Sequence, residues 1–378
     1  MMSRLWPFVL GSVALGLDAY VVAGLLPAIA SSLGAREATV GLGVAAFTGS
    51  YAIAGPLLAG RAGQQSRRSL VIAILVFTVA NLATALSPTV WLFLGSRVAA
   101  GVAAGVYSPL SSAVAAELVG QHRRGRALAL VLAGLAVGTV FGVPIGLALA
   151  QQWGWRAAFL LIVVIGGAAL TGITLRGGEL PTIAASGAAD RLRSIARPKN
   201  LLTVTVTLLT GCASLGLYTY LTVVLSAGSL ASHQTMAIWV WGLGGAVGAL
   251  GIGRFVDRCN PLRLSALILT GLTCALVGMT LGQVPGIVVV SLFVWGLCGW
   301  ASLAPQQHVL LQTNPSDGAT AMAANASANY LGSALGAVMG SLLVAAHATP
   351  AMLCGSAAAL AAVALLCQLA RQRMDSES

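Results

Sequence analysis

Apolar and polar positions in this chain are grouped into long blocks rather than a short alternation. Apolar segments at 5–28, 39–60, 69–87, 90–113, 127–150 and 157–175 are followed, after a polar interval, by a second set at 201–226, 234–255, 264–282, 286–311, 319–346 and 350–370. Each is near the roughly 20 residues that a helix needs to cross a bilayer. The pattern predicts an all-α membrane protein with twelve transmembrane helices. The longest hydrophilic stretch, 176–200, carries Arg176, Glu179, Asp190, Arg191, Arg193, Arg197 and Lys199 among Pro, Gly and Ser, so it reads as a connecting loop. The expected organisation is a six-helix bundle over 1–175, a cytoplasmic central loop over 176–200, and a second six-helix bundle over 201–378 with a short cytoplasmic tail.

Composition agrees with that division. At 58% hydrophobic and 8% charged residues, the chain is too poor in polar surface for a soluble particle, which typically carries about 25% charged residues. The net charge of +11 comes without a continuous basic tract or an aromatic-interleaved groove, so nucleic acid is not an expected partner. The basic residues mark topology instead. With the N-terminus in the cytoplasm, only Arg36 and Arg156 of the 20 basic residues fall outside, and Arg97 falls within a span. Short cytoplasmic loops are enriched in Lys and Arg, so both termini are expected on that side. Arg4 precedes an apolar stretch that runs on to Ile29 without a clean cleavage site, and it reads as a retained first span. The six cysteines make no CxxC or Cys/His pattern and are expected to be buried free thiols, with no metal site.

The two sets of helices echo each other. Span two ends in GRAGQQSRRSL (Gly60 to Leu70) and span eight in GRFVDRCNPLRL (Gly253 to Leu264), each a glycine at a helix end followed by a basic turn. Such an echo points to the parallel six-plus-six repeat of a secondary transporter, although any positive-inside loop has some of these features.

Of nine acidic residues, only Asp18 lies well inside an apolar run. A charge in the bilayer core costs about 2.5–3.5 kcal/mol on insertion scales, and such residues normally face the bundle interior and serve a pathway or proton relay. The alternative is a purely structural partner for a buried arginine. Burial disfavours the ionised form of a carboxyl and a neighbouring arginine favours it, so a site balanced between the two can load and release a proton. Arg97 is the natural partner. At 1.5 Å of rise per residue, the two lie at matching depths within about one turn, so they are expected to pair, directly or through water, on the outer side of a central cavity.

Span four continues from Arg97 with Gly101 and Gly105, and span five carries Gly134, Gly138, Gly142, Pro144 and Gly146. Glycines every fourth residue let helices approach closely, and Pro144 should bend the helix. Together these are expected to make a seal or hinge, with ordinary packing as the alternative. Candidates for a substrate cavity are Tyr20, Tyr218, Tyr220, Asn325 and Asn329. Trp239, Trp241, Trp295 and Trp300 are expected to anchor at the membrane interface. There is no GxxxxGK[ST], HExxH or GxSxG sequence, so neither ATP-driven pumping nor enzymatic catalysis is expected.

These residues resemble the major facilitator superfamily, and within it the twelve-span drug/proton antiporter branch that includes chloramphenicol-resistance and arabinose-efflux-type permeases. Asp18 to Pro27 is similar to a first-span LDxxxxxxxLP signature, Arg97 to Gly105 to a fourth-span RxxxG motif, and Gly134 to Gly146 to the fifth-span antiporter motif. Gly154 to Phe159 matches a GWRxxF segment, and Ala326 to Gly332 resembles a recurring eleventh-span segment. The likeness spans nearly the whole chain. One departure concerns the family's GxxxDRxGRR loop: no Asp precedes Arg67 and Arg68 here, whereas Gly253, Asp257 and Arg258 keep the second-half version. The resemblance implies the major facilitator fold of two pseudo-symmetric six-helix bundles. It also implies a monomeric inner-membrane exporter that exchanges protons for a small hydrophobic substrate by alternating access, with no cofactor beyond the proton gradient and with Asp18 and Arg97 as the coupling pair. Export of a native metabolite such as a sugar or amino acid is the nearest alternative, and a non-transporting membrane sensor or assembly protein is a more distant one.

Overall fold

A computed structural model of the chain describes residues 2–119, 124–175, 180–183, 196–256, 258–313 and 318–376. Among the described residues the structure is helical, and 12 helical stretches are long and apolar enough to cross a membrane. The chain divides into two compact units, Met1–Gly187 and Ala188–Ser378.

The first unit contains α1 (Met2–Ser32), α2 (Glu37–Gln64), α3 (Ser66–Ala85), α4 (Val90–Glu117), α5 (Arg124–Val137), a π-helical turn (Gly138–Gly142), α6 (Val143–Trp153) and α7 (Arg156–Leu175). The second contains α8 (Pro198–Thr219), α9 (Leu221–Ser226), a 3-10 turn (Ala231–His233), α10 (Gln234–Val256), α11 (Pro261–Met279), α12 (Pro285–Ala301), α13 (Leu303–Thr313), α14 (Gly318–Ala345) and α15 (Pro350–Ser376).

The ends of these helices follow from local chemistry. The Thr89 hydroxyl accepts from Leu92 N at the start of α4, and Asn260 Oδ1 accepts from Leu262 N and Arg263 N at the start of α11, each satisfying amides that a helix start leaves unpaired. Pro198, Pro261 and Pro285 occupy the first turn, where the missing N–H costs nothing. Gly154 ends α6 at φ +81°, a conformation that a side chain would strain.

Three spans expected to be continuous are interrupted. The fifth passes through the π turn just before Pro144, which has no N–H to donate back, and the ladder is widened locally there. The seventh breaks at Tyr220 and the tenth at Ser302. Among the cysteines, Cys212, Cys298 and Cys354 are buried as expected, but Cys259 and Cys274 are exposed. The first lies in the polar turn after α10 and the second on the outer face of α11, where a small apolar thiol loses little.

The two units repeat one packing scheme. In the first, α1 packs on α5, α6 and α7, α4 packs on α2 and α3, and α3 on α7; in the second, α8 packs on α14 and α15, α12 on α10 and α11, and α11 on α15. Glycine sets the closest seams in both. A methyl at Gly134 or Gly138 would run into the α1 backbone at Val9 or Val13, and one at Gly332 or Gly336 into the α8 backbone at Leu208 or Cys212. Likewise Gly101 and Gly105 seat the carbonyls of Phe47 and Tyr51, and Gly244 and Gly248 those of Phe293 and Leu297. Without water to drive helices together, such backbone-level contact supplies the dispersion that holds membrane helices.

Candidate functional site

The structure brings Asp18 and Arg97 together inside the first unit. Arg97 Nη1 donates to Asp18 Oδ1 at 2.6 Å, and Nη2 reaches the Asp18 carbonyl oxygen at 3.4 Å. The side chains are 0% and 1% exposed. A third residue, Asn81 of α3, donates from Nδ2 to Asp18 Oδ2 at 3.2 Å and to the Phe77 carbonyl at 3.0 Å. The carboxylate is thus held by α3 and α4 while riding on α1, and it has no exposed surface. The expected direct pairing of Asp18 with Arg97 is present.

The surroundings of Arg97 explain how a guanidinium is tolerated there. Its Cζ lies 4.5 Å from the centroid of the Phe47 ring and 5.8 Å from that of Phe159, so aromatic faces on α2 and α7 supply electron density where water is excluded. Gly43 leaves room for the stem: a methyl there would meet the Phe93 ring and come within 3.4 Å of Arg97 Cγ. Phe159 is in turn fixed edge-to-face by Trp155, which also meets Phe93. Arg156 donates to Ser32 Oγ and to the Ser87 carbonyl, both at 3.1 Å, tying the ends of α1 and α3 to the start of α7. The GWRAAF segment therefore builds one wall of the ion-pair site. The network is not fully satisfied. Among the described residues, Arg97 Nε and Asn81 Oδ1 are buried without a hydrogen-bond partner, one donor and one acceptor left unspent.

Sequence reading missed Asn81, Gly43 and Phe47, and it named Phe159 only as the end of the GWRxxF match without a role beside Arg97. An uncharged amide inside an apolar run is the one signal that pointed to Asn81, since Asn in lipid is costly. The other three become legible only once the helices are assembled. Replacing Asn81 by Leu keeps its approximate volume and removes the neutral donor to the carboxylate. We expect a loss of about 1–3 kcal/mol, read as a lower midpoint of thermal unfolding in detergent, with Thr78→Val on the same helix as the control.

The remaining candidates are dispersed. Gly134 and Gly138 seat the α1 backbone, whereas Gly142 and Gly146 face the side chains of Leu17 and Val21, and Pro144 stands at the start of α6. Tyr20 is partly buried on α1. In the second unit, Tyr218 stacks on Trp241 with centroids 4.1 Å apart, and Trp241 meets Trp295 and Trp300 edge-on. Trp295 Nε1 donates to Ser214 Oγ at 2.8 Å. Trp241 and Trp295 are 1% and 0% exposed, so they are core residues rather than the interface anchors expected of them; Gly296 seats the Trp241 carbonyl, and Gly245 leaves room for the Trp300 ring. Tyr220 faces elsewhere, its hydroxyl donating to the Ala337 carbonyl at 2.9 Å. Asn329 packs against Gly211, while Asn325 is fully buried with neither amide atom hydrogen-bonded among the described residues. Of the loop residues, Arg67 donates to the Thr174 carbonyl at 3.0 Å, Arg68, Gly253 and Arg258 are exposed, and Asp257 lies outside the described residues.

Comparison with known proteins fits this architecture. The nucleoside transporter NupG superposes with a TM-score of 0.81 over 98% of this chain and 99% of its own at 12% identity, a likeness of fold alone. An inner membrane transport protein of Escherichia coli, YdhP, is 26% identical over 98% of this chain and 96% of its own length. A chloramphenicol efflux pump of Mycobacterium tuberculosis is 29% identical over 92% of this chain and 87% of its own. The Major Facilitator Superfamily model matches residues 8–337. With twelve helices among the described residues long and apolar enough to cross a membrane, two units of repeated packing and that match across most of its length, the chain belongs to the Major Facilitator Superfamily of membrane transporters.

Proposed function

We propose that this transporter exports small hydrophobic molecules across the bacterial inner membrane in exchange for protons, by alternating access. The observation that carries this reading is the ion pair of Asp18 and Arg97, fully buried in membrane-spanning helices and only partly satisfied. An inert scaffold gains little from charges whose insertion costs about 2.5–3.5 kcal/mol each. A carboxylate that exchanges a proton gives them a use. When Asp18 is ionised it binds Arg97 and Asn81 and ties α1 to α3 and α4. When it takes up a proton the Coulombic part of that tie is lost, and Arg97 keeps its aromatic contacts on α2 and α7. The unspent acceptor on Asn81 and donor on Arg97 are groups that a rearranged network can use. Protonation thereby biases which helices move together, which is what coupling requires. The glycine seams of α5 on α1 keep one side closed. The efflux pump relative supports chloramphenicol-like compounds as substrates, and export of a native metabolite stands as the alternative within the same mechanism.

The test is accumulation of chloramphenicol and of a hydrophobic fluorescent dye in cells expressing the protein. Expression is expected to lower accumulation, and either an uncoupler or Asp18→Asn should return it to the level of cells without the protein. Efflux by Asp18→Asn at the unaltered rate would remove Asp18 from the coupling. Unchanged accumulation of every hydrophobic compound, with the protein inserted in the membrane, would remove the export reading in favour of a metabolite.

A further inference from the structure

Helices α2 and α3 are consecutive, yet each packs chiefly on α4 and little on the other. They leave between them a groove of about 280 Å³, with Val102, Ala103 and Val106 of α4 as its floor, Leu58 and Ala62 on one wall, and Ile72 and Val76 on the other. The lining is apolar but for Ser69. Leu58, Ile72 and Val76 are 38%, 49% and 39% exposed, so the groove is open along its length. Ser69, Ile72 and Val76 recur at intervals of three and four and share one face of α3. Arg68 precedes Ile72 by four residues, which places it on that same face, one turn nearer the α2–α3 turn, and it is exposed. Arg67 is committed to the Thr174 carbonyl instead. The connecting stretch from Gly60 to Leu70 holds Arg61, Arg67 and Arg68 and no acidic residue.

We infer that this groove binds an anionic phospholipid, one acyl chain lying between α2 and α3 and the phosphate meeting Arg68. The charge pattern selects this occupant. A zwitterionic lipid carries its own cation into a turn that has no carboxylate to receive it, whereas an anionic lipid brings only the charge that the turn lacks. From Ser69 to Val76 the wall runs about 10 Å along the helix, which suits the upper part of one acyl chain and offers nothing to a free phosphate beyond the arginine. This inference goes beyond export and does not depend on proton coupling.

The experiment uses the purified full-length protein in mixed micelles with equimolar phosphatidylglycerol and phosphatidylcholine, and counts retained lipid by native mass spectrometry. One basic residue near a headgroup is worth about 1 kcal/mol, so phosphatidylglycerol should be retained about fivefold over phosphatidylcholine. Arg68→Ala should bring that preference close to unity. Val76→Trp, which fills the groove from a partly exposed position, should lower retention of both lipids, with circular dichroism and size-exclusion behaviour unchanged. Equal retention of the two lipids by the unmodified protein overturns the inference, as does an unaltered preference in Arg68→Ala. Displacement of the lipid by inorganic phosphate would show a simple anion site. A change in oligomeric state on Val76→Trp would give the groove to a second copy, and lost dye efflux with unchanged lipid retention would give it to the transported compound.

Discussion

Removing the carboxylate of Asp18 is expected to cost the first unit more stability than removing the guanidinium of Arg97. The two partners are equally buried, so burial alone predicts equal losses. They differ in what the survivor can do. A carboxyl left alone in low dielectric can neutralise itself by taking up a proton, whereas an arginine cannot shed its charge. Asp18→Leu therefore leaves a permanent cation beside Phe47 and Phe159, at a loss of about 3–5 kcal/mol for a broken buried pair. Arg97→Met leaves a protonated acid that still meets Asn81, at about 1–3 kcal/mol. The double variant, with both charges gone, should be no worse than Arg97→Met, because apolar replacement of a buried pair is often neutral or stabilising. Equilibrium unfolding of the three purified variants in mixed micelles reads the order directly. A larger loss for Arg97→Met than for Asp18→Leu, or a double variant as unstable as Asp18→Leu, would mean that the pair is held by geometry and not by charge.

Much of this site was legible in the sequence because charges stand out in apolar runs and helical rise converts spacing into depth. Asp18 and Arg97 needed no more than that to be matched. Asn81 was harder, being an uncharged amide on a helix that also carries Thr78 and Thr84, and nothing in its local sequence says that Asn81 and Thr84 are fully buried while Thr78 is only partly so. Gly43, Phe47 and Phe159 answer to the shape of Arg97 and so belong to tertiary structure. The same holds for Trp241 and Trp295, since hydropathy scores a core tryptophan and an interfacial one alike; only their burial against Tyr218 and each other in the assembled unit tells the two apart. Pro144 announced an irregularity in the fifth span, but the widened turn at Gly138–Gly142 depends on how α5 must follow α1. The breaks at Tyr220 and Ser302 carry neither Pro nor Gly at the break itself and left no local signal.

Gly138→Ala should be among the most damaging single methyl additions in the first unit. The new carbon would overlap the Val13 carbonyl oxygen and lie 2.9 Å from Leu17 N, and both obstacles are backbone, which cannot rotate aside. Adding one methylene to a packed core typically costs about 1–3 kcal/mol, and more where no side chain can yield. Because Leu17 adjoins Asp18, a displaced α1 also pulls the carboxylate off Arg97, so efflux should fall together with stability. Neighbouring positions provide the controls. At Gly142 the added carbon stands 3.3 Å from Leu17 Cβ, tight by only a few tenths of an ångström, so a smaller loss is expected. At Gly167 nothing lies within 4 Å, and alanine should be neutral or stabilising by up to about 1 kcal/mol through helix propensity alone. The repeat adds a further comparison, since Gly336 meets the Cys212 carbonyl oxygen in the second unit just as Gly138 meets Val13 in the first. Gly336→Ala should match Gly138→Ala in lost stability while leaving the Asp18–Arg97 pair in place. Thermal unfolding of the four variants ranks them. If Gly138→Ala unfolds no earlier than Gly142→Ala, the α1–α5 seam yields under a methyl group and does not hold the carboxylate in register with the arginine.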